Sequence, residues 1–182
     1  MLSFPSIKEE VYFRDWRVLR AQYLLIGHAS LEQSSLQINY ELLDVSKGKS
    51  IYSGSVFGDL SEQRVLSHRI ADVIYKNLTG IPGAFATRLL YIAAERDSTG
   101  KDSFSLTLAD SDGERPILLL QSSEPIMSPS WAPSGNEVAY VSFESGRPAI
   151  YRQSLISGRR ERLTNFIGLN SSPAWSPDGN YM

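Results

Sequence analysis

The sequence has 182 residues and a formal net charge of −2, with 42% hydrophobic and 21% charged residues. These values are ordinary for a globular protein of one domain or two small ones. The near-neutral charge argues against a general nucleic-acid binder, and no stretch approaches the ~20 apolar residues of a membrane-spanning helix. The absence of cysteine excludes a disulfide framework and a cysteine-ligated zinc site.

The first eighty residues predict a mixed α/β region. Residues 7–20 predict a helix whose apolar side is formed by Ile7, Val11 and Val18. The apolar run Tyr23–Ile26 predicts a short strand buried on both faces, closed by the glycine that follows it.

A second and a third strand follow. Residues 36–43 alternate in polarity, which predicts a strand with one buried face. Residues 47–49 read Lys-Gly-Lys and supply a turn, and residues 51–57 return as a strand, so that a hairpin or meander is expected.

The clearest predicted element is a helix that begins near Asp59, with Glu62 completing a capping box. Gly80 can end this helix in the left-handed conformation, and Pro82 prevents its continuation. We expect the helix to pack on the preceding sheet. Its apolar face comprises Leu66, Ile70, Val73, Ile74 and Leu78.

The composition changes after Gly83, because short apolar strands then alternate with turn clusters. This spacing indicates a β-sandwich, barrel or propeller, reached through a linker at residues 81–87. The predicted strands are 89–94, 104–109, 117–120, 138–143, 149–155 and 160–163.

An internal repeat favours the propeller. The motif at residues 128–136 recurs at residues 172–180, which places Trp131 and Trp175 44 residues apart. A period of ~40–45 residues is typical of propeller blades. The proline of each motif predicts an extended approach to the tryptophan. We expect each tryptophan to fill the space between neighbouring blades, which is a structural role.

Four segments resemble the TolB family. Residues 78–88, reading LTGIPGAFATR, resemble the junction between the two domains of that family. Residues 127–131 (MSPSW), 143–147 (FESGR) and 172–179 (SPAWSPDG) resemble segments of its propeller. The resemblance covers essentially the whole chain, which is identified as a member of the TolB family.

The resemblance implies an α+β fold class. Residues 1–83 would be the C-terminal part of a small α/β domain, and residues 84–182 the first blades of an incomplete six-bladed β-propeller. It also implies a non-enzymatic periplasmic scaffold of the Tol–Pal envelope system, without a cofactor or metal. The expected partner is the peptidoglycan-associated lipoprotein (Pal), bound at one mouth of the propeller, in support of outer-membrane integrity and cell division. Other Tol proteins are expected partners too, but nucleic acid and direct membrane insertion are not.

The ends of the sequence suggest a fragment. Residues 1–6 lack the features of a signal peptide, and the family's TolA-contact segment has no counterpart here. Met182 falls inside the second repeat, two residues after its motif and far short of six blades. Open sheet edges invite pairing with other chains, so we expect marginal stability or aggregation. Ser134 replaces the family's usual aspartate, and Leu169 stands where a histidine is common.

Catalytic motifs are missing from the sequence. The two histidines, His28 and His68, have no motif partner that would make either one a catalytic base. No Gly-x-Ser-x-Gly elbow and no phosphate-binding loop occurs. Residues 110–113 resemble the start of a calcium loop, but position twelve is Gln121 instead of a bidentate glutamate, so a hairpin turn is expected.

Binding residues are expected in the segments that lead into the innermost blade strands, at 125–130 and 169–173, because propeller loops gather around a central channel. An alternative is that these residues only shape the turns. The predicted mouth-lining residues are Met127, Ser128, Asn170 and Ser171.

A second hypothesis is the gating propeller of a prolyl-oligopeptidase-like serine peptidase. The SPDG element alone is compatible with it. The junction segment at residues 78–88 favours the scaffold, and the sequence contains no hydrolase motif.

Overall fold

The computed structural model describes residues 5–182, which form two compact units that divide between Ala86 and Thr87. Four of the six residues that argue against a signal peptide lie outside this range. Within it, no helix combines the length and apolar content that crossing a bilayer requires.

The first unit is a three-stranded antiparallel meander with a helix on each face, and its strands follow the order β1-β2-β3. Its elements are a 3₁₀ turn at Lys8–Glu10, α1 (Phe13–Val18), β1 (Tyr23–Glu32), β2 (Ser35–Asp44), β3 (Lys49–Asp59), a second 3₁₀ turn at Leu60–Glu62, and α2 (Gln63–Thr79).

The prediction of one continuous N-terminal helix is wrong. The chain is extended at Val11, which separates the 3₁₀ turn from α1 and is itself buried. Phe13 and Trp16 of α1 pack against the core, whereas Ile7 and Val18 are 50% and 77% exposed. Two aromatic residues outside the predicted aliphatic side therefore hold α1 against the core.

The prediction of a short β1 buried on both faces is also wrong. β1 is a ten-residue edge strand in which Tyr23 and Leu25 are each 46% exposed. Ile26 is buried against the α1 side of the sheet. Gly27 does not close the strand but pairs with Tyr40, and a side chain at Gly27 would press on the neighbouring backbone.

The predicted capping box and apolar face of α2 are confirmed, but the prediction that β2 has only one buried face is wrong, because Leu43 is fully buried on the α1 side of the sheet. Leu36, Tyr40 and Leu42 are buried on one face of β2. Asp59 and Glu62 form the capping box, which begins the 3₁₀ turn that leads into α2.

The end of α2 and its packing are as expected. Gly80 ends the helix at a φ of 78°. Leu66 of α2 is fully buried, and a Cβ placed on Gly58 of β3 would lie 3.1 Å from one of its methyl groups. The helix therefore packs on β3 at close range, as the apolar stripe predicts.

The second unit consists of two antiparallel meanders among the described residues, and the six predicted strands all occur to within two residues of the expected bounds. A three-stranded sheet has the order β4-β5-β6, and a four-stranded sheet has the order β10-β9-β8-β7. The bounds are β4 (Arg88–Arg96), β5 (Asp102–Asp110), β6 (Ile117–Ser122), β7 (Ile126–Trp131), β8 (Glu137–Ser142), β9 (Ala149–Ser154) and β10 (Arg160–Arg162).

One core joins the two sheets of the second unit. Leu106 of the first sheet and Val138, Tyr140 and Tyr151 of the second belong to the same buried cluster. The amide of Gln153 donates a hydrogen bond of 3.2 Å to the carbonyl oxygen of Leu119, which also links the sheets. Meanders of consecutive strands that pack face to face are the arrangement of neighbouring propeller blades.

Candidate functional site

The repeated motif contains a backbone feature that the sequence reasoning missed. Ser128 and Ser172 have φ values of 51° and 56°, so the residue before each proline is left-handed and the predicted extended approach is wrong at that residue, although β7 continues as a strand to Trp131. In β7, Ser128 and Pro129 together oppose the single residue Tyr140, which makes a β-bulge. Left-handed conformations of residues other than glycine are uncommon and are often associated with binding regions.

The four predicted mouth residues lie in two pairs. Met127 is 52% exposed beside the bulge, and Ser128 is exposed with it. Asn170 is only 7% exposed, whereas Ser171 is exposed, and both lie in a segment without regular secondary structure. The described hydrogen bonds do not connect one pair to the other.

Asn170 shapes the loop that precedes it. Its side-chain amide donates to the carbonyl oxygens of Phe166 and Gly168, at 2.9 and 3.4 Å. Phe166, Ile167 and Leu169 are 73%, 96% and 80% exposed. We call residues 166–169 the apolar loop. Its signal in the sequence is a run of large apolar residues outside any strand pattern.

The two motif tryptophans differ in their surroundings. Trp131 packs against the shared core, and the Arg88 guanidinium lies over its ring, 5.6 Å from the centroid. Since Arg88 belongs to the first sheet and Trp131 to the second, the expected packing between blades is confirmed for this residue. The indole N–H of Trp175 is buried without a hydrogen-bond partner.

A partly exposed polar cluster of the second unit joins Arg160, Tyr140 and Glu144. The guanidinium of Arg160 donates to the Tyr140 hydroxyl at 2.6 Å and to both carboxylate oxygens of Glu144 at 2.8 and 2.9 Å. The Tyr140 hydroxyl donates to Gln153 at 2.9 Å. Burial raises the pKa of Tyr140, although Arg160 opposes the shift. These groups serve as hydrogen-bond donors and acceptors for one another, and their bonds link β10 to β8.

Groups suited to catalysis or metal binding are not assembled in the described part of the chain. No set of three or more His, Asp or Glu side chains there could hold a metal ion. His28 is exposed on β1, and His68 lies on α2. The Asp110 carboxylate receives two hydrogen bonds from Arg115, at 2.8 and 3.0 Å, within the turn between β5 and β6, as the hairpin interpretation expects.

The fold and the repeat therefore define the class: a small α/β unit followed by β-propeller blades. A family model described as "TolB beta propeller domain" matches residues 75–182, and a second, "TolB amino-terminal domain", matches residues 1–51. The first match covers more than half of the chain. The chain belongs to the TolB family.

Individual relatives agree with this assignment. "Tol-Pal system protein TolB" of Pseudomonas entomophila (strain L48) is 49% identical over 174 residues, which are 96% of this chain and 40% of that protein. The protein of the same name from Pseudomonas fluorescens (strain Pf0-1) is 48% identical over 173 residues, with 95% and 40% covered. The relatives' name does not favour the peptidase alternative.

A solved structure supports the fold. The crystal structure of TolB from Acinetobacter baumannii superposes with a TM-score of 0.86 at 37% identity, covering 98% of this chain and 44% of that chain. The chain thus spans about two fifths of the length of the curated relatives it matches.

Proposed function

We propose that this chain acts in the periplasm as a non-enzymatic interaction scaffold of the Tol–Pal system, binds Pal through its propeller unit, and needs no cofactor. In this role it supports outer-membrane integrity and cell division. The family membership and the name of the relatives support the proposal. The observation that supports the binding site is the exposure of Met127 and of the apolar loop. The left-handed residues Ser128 and Ser172 lie near them in the sequence.

The proposed domain assignment follows the sequence. Residues 1–83 correspond to the rear of the α/β domain and residues 84–182 to the first blades of a six-bladed ring, although the two compact units divide three residues later, between Ala86 and Thr87. The two consecutive meanders of the second unit support it. Other Tol proteins are further proposed partners.

The four site residues have different proposed roles. Met127 offers an exposed apolar side chain, while Ser128 fixes the bulge that presents it. Asn170 contributes indirectly: its buried side-chain amide donates to two carbonyl oxygens of the apolar loop and so holds the loop in place. Ser171 is exposed at the end of that loop and offers a hydroxyl to the partner.

The test is a titration calorimetry series with purified Pal that lacks its lipid anchor. Met127→Lys should weaken binding at least tenfold, because a charge buried at an apolar contact without a partner is costly. Asn170→Ala should weaken binding less, since it frees the apolar loop without removing a contact. The P. entomophila protein serves as the longer reference.

The matched control is Ile156→Lys. Ile156 is 81% exposed in the turn after β9, so it makes the same apolar-to-charged change away from the proposed site. Equal affinity for Met127→Lys and Ile156→Lys would refute the site. Absence of binding by the folded chain and by the longer reference would refute Pal as the partner.

A further inference from the structure

The segment that leaves α2 folds back onto the helix. After Gly80, residues 83–86 return to Asp72, which is the only acidic residue of α2. We call residues 83–86 the strap. The sequence predicts a plain linker here, because glycine, proline and alanine dominate residues 80–86.

The Asp72 carboxylate is bound by two successive backbone amides of the strap. The N–H of Phe85 donates to Oδ1 at 2.7 Å, and the N–H of Ala86 donates to Oδ2 at 3.1 Å. Consecutive amides that converge on one anion form a concave site, and hydrogen bonds to a charged acceptor are about twice as strong as neutral ones. Both carboxylate oxygens are therefore used to fix backbone that lies 13 and 14 residues further along the chain.

Two further contacts support the docking. A Cβ on Gly83 would collide with the carboxylate and Cα of Asp72, so the strap passes too close to the helix for any side chain at this position. The rings of Tyr75 and Phe85 meet edge to face, with their centroids 5.9 Å apart. The strap therefore contacts α2 in three ways: through the Asp72 carboxylate, through the close approach of Gly83, and through the Tyr75–Phe85 ring pair.

We propose that Asp72 is a latch: its carboxylate holds the strap against α2 and thereby fixes the direction in which the chain leaves the helix. The strap docks and releases separately from α2. With the latch closed, the chain leaves the helix in one direction. With the latch open, residues 81–87 are a flexible connection. The device belongs to the first unit alone and does not depend on Pal binding.

Hydrogen–deuterium exchange of the 182-residue chain tests the latch at single-amide resolution. Asp72→Ala should accelerate exchange of the Phe85 and Ala86 amides roughly tenfold or more, because each amide loses a bond to a charged group. Gly83→Ala should do the same with the carboxylate retained, since the added Cβ displaces the strap. The α2 amides from Ile70 to Ile74 should keep their protection in both variants.

The matched control is Asn77→Ala, which removes a side-chain bond to the Val73 carbonyl oxygen on the same helix without touching the strap. Exchange at Phe85 and Ala86 should stay within about twofold of the parent chain in this control. Unchanged strap exchange in Asp72→Ala would overturn the proposal. Equal loss of protection in α2 and the strap would overturn it as well, because the strap would then not release separately.

Discussion

The two copies of the repeated motif share their local geometry almost completely. Ser128 and Ser172 are both left-handed, and Gly135 and Gly179 have φ values of 71° and 73°. Each glycine N–H donates to the carbonyl oxygen three residues earlier, at 2.9 Å in both copies. The conformation of the turn is therefore encoded within the motif itself.

The copies differ in what surrounds them. The first overlaps β7, which pairs with β8, and its Trp131 lies under the Arg88 guanidinium. The second contains no strand, and the indole N–H of Trp175 has no partner. The motif therefore specifies a turn. A strand, and a tryptophan packed between sheets, also require a neighbouring sheet.

The largest expected effect separates the two tryptophans. Trp131→Ala should lower the free energy of unfolding by about 3 kcal/mol, because it removes core packing and the contact with Arg88. Trp175→Ala should cost no more than about 1 kcal/mol, since it also removes an unsatisfied buried N–H. Urea unfolding followed by circular dichroism measures both. Equal losses would mean that the surroundings of the two copies do not matter.

Substitution of Gly135 and of Gly179 should change the free energy of unfolding equally, because the two turns share their conformation. Gly135→Ala and Gly179→Ala should each cost about 1 kcal/mol, because alanine is strained at positive φ. Neither added Cβ meets an atom closer than 3.7 Å, so the cost is conformational. A difference above about 0.5 kcal/mol between the two, in the same denaturation assay, would show that the turns are not independent of their surroundings.

A smaller effect concerns the residue that differs within the turn. Asp178 accepts hydrogen bonds from the backbone and the side chain of Asn180, at 3.1 and 3.0 Å, whereas Ser134 accepts one long bond of 3.3 Å from Asn136. Ser134→Asp should therefore stabilise the chain by about 0.5 kcal/mol. A melting temperature that stays the same or falls would show that the first turn cannot use the carboxylate.

The smallest effect is a difference in pH dependence. Hydrogen bonds from Ser176 and Asn180 lower the pKa of Asp178 below its usual value. The stabilisation is therefore present above the unfolded-state pKa of about 3.9 and is lost as the pH falls through the lower folded value. Asp178→Ser should lose less stability than the parent chain between pH 6 and pH 2. Parallel pH profiles would contradict this assignment.

Local signals in the sequence suffice for several elements. The capping box at Asp59, the apolar face of α2 and the left-handed Gly80 each depend on residues only a few positions away in the sequence. The alternation in β2 marks one of its two buried faces, and the 44-residue repeat marks the blades. Each of these features depends on neighbours along the chain, so the pattern carries the information.

Two of the missed features depend on contacts between residues that are distant in the sequence, and a third depends on burial. α1 packs through the partly buried Phe13 and Trp16 against a sheet that forms later in the chain. The docking of the strap on Asp72 joins residues 13 and 14 positions apart. The role of Asn170 as the support of the apolar loop follows from burial, which its polarity does not predict. The exposed residues Met127, Ser128 and Ser171 remain predictions of a binding site.

The most direct test of the proposed function is a hydrogen–deuterium exchange footprint of the chain with and without saturating Pal. The proposal predicts that protection increases at residues 126–128 and 166–171, and that residues 154–158 around the control Ile156 stay unchanged. Increased protection confined to the first unit, or none anywhere while Pal binds the longer P. entomophila reference, would contradict the claim that this chain's propeller unit forms the Pal site.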